Sequence, residues 1–105
     1  MNFVYKSGRT IHGPLLAIKY AANPHGQTYR VAIVVSRKVN KSAVARNRMR
    51  RRLYAIMREM GNQINGPYDI VITVFHDTLI SEPQKKLVTQ VKNQLSQAGI
   101  LSRSD

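Results

Sequence analysis

The chain has 105 residues, 43% of them hydrophobic, enough for one compact domain with a modest core and too many for a disordered basic tail. It has no cysteine, which excludes a disulfide framework and any Cys-ligated zinc or iron–sulfur site and fits a cytosolic protein. Seventeen Lys and Arg against five acidic residues give a net charge of +12, a field that attracts polyanions, and no apolar run approaches the roughly 20 residues that cross a bilayer.

Met1 to Ile11 carries Lys6 and Arg9 with no apolar stretch behind them, so it does not read as a secretory signal. Met1 to Thr10 has no clear period. Leu15 to Tyr20, a short apolar run after Gly13-Pro14, reads as a strand. Asn23-Pro24-His25-Gly26 is turn chemistry, since Pro fixes φ and Gly permits positive φ. Tyr29 to Val35 is rich in β-branched residues and reads as a buried strand, expected to pair with the first as a hairpin.

The period then changes. Ala45, Met49, Leu53, Ile56 and Met60 recur at steps of four, four, three and four, one stripe of a helix over Ser42 to Met60. Ser42 is the expected N-cap and Gly61 the expected left-handed stop. Gly66-Pro67 marks a turn, and Tyr68 to Phe75 is a strand with hydrophobic residues on both faces. Ser81 and Gln84 have the spacing of a capping box, with Pro83 in the first turn of a last helix. Leu87, Val91, Leu95 and Ala98 form its stripe, Gly99 closes it, and Ile100 is placed for a Schellman contact with Leu95. Strand, strand, helix, strand, helix implies a mixed α/β (α+β) two-layer sandwich, with residues 1–105 as a single domain.

The charge is concentrated. Arg37, Lys38, Lys41, Arg46, Arg48, Arg50, Arg51, Arg52 and Arg58 fall within one loop and the helix after it. On a helical wheel, Ala45, Leu53, Ile56 and Met60 gather around Met49 as the sheet-facing side. Asn47, Arg51, Tyr54 and Arg58 point away, Arg48 and Arg50 flank them, and Arg46 and Arg52 sit at the shoulders, their heads expected to reach solvent. A merely solubilising face would intersperse acids, yet Glu59 is the only acid on the helix. A membrane-surface helix would need its apolar side free, and here the sheet takes that side. Arg offers a planar fork that matches phosphate oxygens two at a time and stacks on bases, so the pattern points to a nucleic acid, and a DNA-reading helix fits less well because the chain lacks a short helix–turn–helix pair. His12, His25, His76, Asp69 and Asp77 are the candidates for a protein-based active site. They show no catalytic or metal-ligand spacing.

The stretch Ser36-Arg37-Lys38 through Arg46-Asn47-Arg48 to Leu53 closely resembles the signature of the bacterial ribonuclease P protein family. Gly8, the two strands, the Tyr68-Asp69-Ile70-Val71 strand and the terminal helix extend the resemblance over nearly the whole chain. It implies a left-handed βαβ crossover through the Arg-rich helix (ribosomal protein S5 domain 2-like), an exception to the usual handedness. It also implies the activity of a subunit of an endonuclease that matures the 5′ end of tRNA, with RNA as the catalyst and Mg²⁺ bound mainly by that RNA. The implied partners are the catalytic RNA and precursor tRNA, with no membrane and no obligate protein partner, in the cytoplasm. The basic residues named above, with Asn47, would bind the RNA. The 5′ leader would run in a cleft on the sheet face, for which Lys19 and Tyr20 are candidates on opposite sides of one strand. Family members usually begin with a short basic helix that walls this cleft. Met1 is expected near or beyond its end, and Phe3 and Tyr5 are read as its remnant. A ribosomal or other structured-RNA-binding protein of similar fold is the alternative, because the same basic helix would serve there.

Overall fold

A computed structural model describes residues 8–23, 26, 28–64 and 66–101. Four strands, β1 (Arg9–His12), β2 (Leu16–Ala22), β3 (Arg30–Val34) and β4 (Tyr68–Val74), form one sheet in the order β1-β2-β4-β3. Two helices, α1 (Ala43–Met60) and α2 (Gln84–Ala98), pack on one face of it, giving the expected two layers. Leu16, Ile18, Ile33, Ile70 and Ile72 from the sheet meet Met49, Leu53 and Ile56 of α1 and Leu87, Val91 and Leu95 of α2 in one core.

The expected hairpin between the first two apolar strands does not form. β4 lies between β2 and β3, antiparallel to the first and parallel to the second. A strand with two neighbours and apolar residues on both faces reads as a continuous hydrophobic run, which is the pattern of Tyr68–Val74. The turn chemistry after β2 is real, for the Gly26 N–H donates to the Asn23 carbonyl at 3.0 Å. That chain reversal carries over β4 to the far strand, a lateral step of about 10 Å. The true hairpin is β1–β2, turning at Gly13-Pro14 with the Gly13 N–H on the Leu16 carbonyl at 2.9 Å. Four residues of β1 are too few to show a period, so the sequence pattern missed it. Buried Gln94 of α2 donates from Nε2 to the Ile11 and Leu16 carbonyls, both at 3.1 Å, and ties the hairpin to the helix layer.

Helix ends follow expectation in part. Ser42 caps α1, its hydroxyl accepting from the Ala45 N–H at 3.2 Å. The buried stripe is Met49, Leu53, Ile56, Met57 and Met60, with Ala45 only half-buried. Met57 rotates the dry side enough to carry Tyr54 inward. Tyr54, expected to point to solvent, is half-buried, and its hydroxyl accepts from the Ile33 N–H at 3.3 Å. Gly61 is right-handed, at φ −54°, and the chain passes into a 3-10 turn, Gly61–Gln63. Glycine is needed there for space, since a Cβ would lie 2.8 Å from the Tyr29 hydroxyl.

The capping box of α2 is absent. Pro83 is the N-cap and makes no side-chain hydrogen bond, while the Ser81 hydroxyl donates to the Thr78 carbonyl at 3.3 Å in the preceding 3-10 turn. The C-terminus behaves as read. Gly99 adopts φ +78°, its N–H donates to Ser96 at 3.0 Å, and Ile100 donates to Leu95 at 3.3 Å while its side chain is buried.

The parallel register sets Arg30 opposite Asp69. Arg30 donates from Nε and Nη2 to the two carboxylate oxygens, each at 2.8 Å, and Asn23 Nδ2 adds a bond at 3.4 Å. The Arg30 hydrogen bonds hold the Asp69 carboxyl below its ordinary value, against the opposing effect of burial, and the carboxylate raises Arg30. A carboxylate whose folded pKa is depressed contributes stability above its unfolded value, about 3.9, and loses it as pH falls through the folded value. Unfolding followed below about pH 5 should show that loss, and Arg30→Met should shrink it, because without its donor the Asp69 carboxyl is no longer held below its unfolded value. An acid limb unchanged in the variant would remove the pair from the stability of the fold.

Candidate nucleic-acid interface

The basic cluster begins where β3 ends. Ser36 accepts from the Val39 and Asn40 N–H groups at 3.1 and 3.4 Å, so the chain turns at once. Asn40 Oδ1 accepts from the Ser42 N–H at 2.8 Å, and Arg46 Nη1 reaches back to the Asn40 and Lys41 carbonyls, both at 3.0 Å. The loop is therefore braced before any ligand arrives. Arg37, Lys38, Lys41, Ala43 and Arg46 line a recess of about 590 Å³ at the start of α1. A recess walled by four cations, beside the partial positive charge of a helix N-terminus, favours an anion.

Along α1, Asn47, Arg48, Arg51 and Arg58 are exposed and Arg50 is half-buried. An Arg50 guanidinium nitrogen donates to the Asn47 side-chain oxygen. Exposed Asn47 thus orients a neighbouring cation through its side-chain oxygen. Arg52 differs from the rest. Its Nη1 donates to the Leu79 carbonyl at 2.5 Å, and its Nη2 to the Glu82 carbonyl at 2.6 Å and to Gln84 Oε1 at 3.1 Å. A head expected in solvent instead binds α1 to the turn before α2. Gln84, read as half of a capping box, is occupied by that contact.

The sheet's second face, away from the helices, carries the other candidates. Lys19 pairs with Val71 and lies on this face, whereas Tyr20 lies on the helix side, edge-on to Tyr68 at 6.3 Å. Arg30 joins Lys19 there. Its side chain is 61% exposed while two of its nitrogens rest on Asp69. Sequence reading did not select Arg30, because its partner is 39 positions away and only the parallel register unites them. Phe3 and Tyr5 lie outside the described residues, as does His25. His12 and His76 are exposed, and among the described residues no group of three His, Cys, Asp or Glu could hold a metal ion.

Comparison with known proteins bears on this arrangement. A family model described as Ribonuclease P matches residues 2–99. The ribonuclease P protein component of a Pseudanabaena species is 38% identical over 99 residues, covering 93% of this chain and 84% of its own. That of Prochlorococcus marinus is 30% identical, covering 95% and 88%. Among solved structures, the RNase P protein of Staphylococcus aureus superposes with a TM-score of 0.83 at 19% identity, over 96% of this chain and 90% of its own. The Thermotoga maritima RNase P protein gives 0.81 at 21%, over 91% and 88%. These two establish the likeness of fold.

The Arg52 contacts separate it from its neighbours in a measurable way. Removing the guanidinium takes a charged donor from the part-buried Leu79 and Glu82 carbonyls, a loss of about 1–3 kcal/mol. Arg52→Ala should lower the melting temperature clearly, whereas Arg51→Ala should change stability by no more than about 0.5 kcal/mol. Equal melting of the two variants would show that the Arg52 latch contributes nothing.

Proposed function

Because the chain belongs to the ribonuclease P protein family, we propose that its basic loop and helix grip the RNA subunit while the second face of the sheet receives the 5′ leader of precursor tRNA. The chain is a ribonuclease P protein subunit that associates with the ribonuclease P RNA, and the ribonucleoprotein is an endoribonuclease that matures tRNA 5′ ends. The observation that carries the assignment of surfaces is the braced run from Arg37 to Arg58, with Glu59 as the one acid on its helix. Like charges on adjacent turns of a helix repel by a few tenths of a kcal/mol per pair, a cost that phosphate neutralisation would reverse on binding.

In this reading Arg37, Lys38, Lys41 and Arg46 hold phosphates at the mouth of α1. Arg48, Arg50, Arg51 and Arg58 continue along its outer face, and Asn47 supplies a neutral donor between them. Arg52 acts indirectly, by fixing the helix that carries the others. Lys19 and Arg30 meet the leader on the far face. Tyr20 does not line that surface, because it faces the helices. Hydrolysis and the Mg²⁺ that assists it belong to the RNA in this proposal. The described side chains offer no fitting metal cluster, and the protein's contribution is affinity, position and charge. No described helix is long and apolar enough to cross a membrane, and we place the complex in the cytoplasm, where precursor tRNA is processed.

Two measurements test this division. RNA-subunit affinity should fall steeply with salt, and Arg51→Ala should reduce the log–log slope by about 0.7–0.9, because one phosphate is no longer neutralised. An unchanged slope would put Arg51 outside the interface. Asn47→Ala should preserve or slightly raise thermal stability, since Asn is the poorer helix former, while weakening RNA binding. Full affinity in that variant would remove Asn47 from the site.

A further inference from the structure

The second helix of the layer carries charge of its own. At about 100° per residue, Lys85, Thr89, Lys92 and Ser96 fall within one arc of about 60° on α2, opposite the buried Leu87, Val91 and Gln94. All four are exposed. Lys86 is exposed beside Lys85, and the two lysines line a recess of about 320 Å³ with Thr89 and Gln90. The Thr89 hydroxyl donates to the Lys85 carbonyl at 2.8 Å, so its side chain folds back on the helix. A solvated face would mix signs, yet the chain has no acid from Pro83 to Leu101. None of the three lysines makes an ion pair among the described residues. Lys85 and Lys86 also stand in the first turn, where the helix dipole disfavours cations and an acid would be the stabilising choice. Local stability therefore does not account for them.

Their placement does. α1 and α2 pack on the same face of the sheet, and Arg52 of α1 holds both the turn before α2 and Gln84. The outer sides of the two helices therefore belong to one surface, with the second face of the sheet turned the other way. Lys85 and Lys92 are two turns apart, about 10 Å along the axis, so they can take separate phosphates. Lysine is a point charge that binds phosphate without demanding a planar partner, which suits contacts that position a backbone and read no base. We propose that the Lys85–Lys92 stripe of α2, with Lys86 beside it, is a second binding site for the phosphate backbone of the ribonuclease P RNA. The inference rests on the assignment of α1 to that RNA. Contacts from one helix leave the protein free to roll about its axis. A second row of contacts fixes the orientation in which the sheet meets precursor tRNA.

The test uses the full chain and the ribonuclease P RNA, with no tRNA present. Amine acetylation of the free protein and of the complex, read by mass spectrometry, should show Lys85 and Lys92 protected severalfold by the RNA. In salt titrations, Lys85→Gln and Lys92→Gln should each lower the log–log slope of affinity by about 0.7–0.9, and the double variant by about twice that, because each change removes one neutralised phosphate. Lys85→Arg and Lys92→Arg should keep the wild-type slope. Melting of the Gln variants should match or slightly exceed that of the wild type, which separates lost contact from lost fold. Lysines acetylated as fast in the complex as in the free protein overturn the site, and so does a double variant with the wild-type slope, whatever other partner the stripe serves. Protection that appears only on adding precursor tRNA overturns it too, since the occupant would then be tRNA. Arg51→Ala keeps the two readings apart: a shallower slope there beside unaffected lysine variants removes the α2 site alone. A wild-type complex insensitive to salt would instead overturn the proposed grip on the RNA subunit.

Discussion

β4 hydrogen-bonds along both edges, antiparallel to β2 and parallel to β3. A parallel neighbour cannot be reached by a tight turn, so the chain must leave the end of β3, travel the length of the sheet and return. The returning segment is α1. Its apolar stripe is used against the sheet, and Asn47, Arg48, Arg51 and Arg58 on its other side face solvent. The same pairing brings the ends of β3 and β4 together, with the basic loop at that end, and sets Arg30 beside Asp69 at the other. The location of the charge thus follows from one strand pairing.

The arginines are chemically alike and do different work. Arg52 gives its donors to the carbonyls of Leu79 and Glu82. Arg46 braces the loop from Asn40 to Lys41, and Arg30 is held flat against a carboxylate. Arg48, Arg51 and Arg58 remain exposed on α1. A guanidinium carries five donors in a rigid fork, so it can serve a protein carbonyl through one edge and present another outward. Lysine, a single point charge, would not divide itself in this way. Rigidity also matters for binding, because a loop already ordered by internal hydrogen bonds loses less entropy when it meets phosphate.

Two surfaces result, and their physics differs. The α1 face is a dense field of cations suited to a folded RNA with many phosphates. The second face of the sheet is sparser, with Lys19 and Arg30 over small side chains and an exposed ring pair at one end. A sheet of small residues admits a strand of nucleic acid closely, and cations and rings spaced along it can each engage one unit. The helix layer and the sheet therefore suit RNA of different kinds.

Much of this was legible in the residues alone. The step of three and four from Ala45 to Met60 specified α1 and its dry side, because helical periodicity is local. Ser42 and Gly99 marked their helix ends through chemistry confined to a few neighbouring atoms. The concentration of Arg on one loop and helix, with a single acid among them, identified a polyanion as partner. What composition and spacing left open depended on contacts between distant positions. The hairpin expected between the first two apolar strands was displaced by β4, from much later in the chain, since turn residues specify a reversal and not the strand that fills the gap. Tyr54 turned inward because Met57 shifted the buried arc, and Gly61 was held by Tyr29 instead of by a left-handed backbone. Ser81 and Gln84 had capping spacing, but Arg52 from another helix took Gln84. Lys19 and Tyr20 could be separated by strand alternation, yet only the packed layer decided which side was dry. Local backbone and charge preferences are written along the chain. Strand order, register and the pairing of one side chain with another are set by burying a common core, and that free energy is shared among all the elements at once.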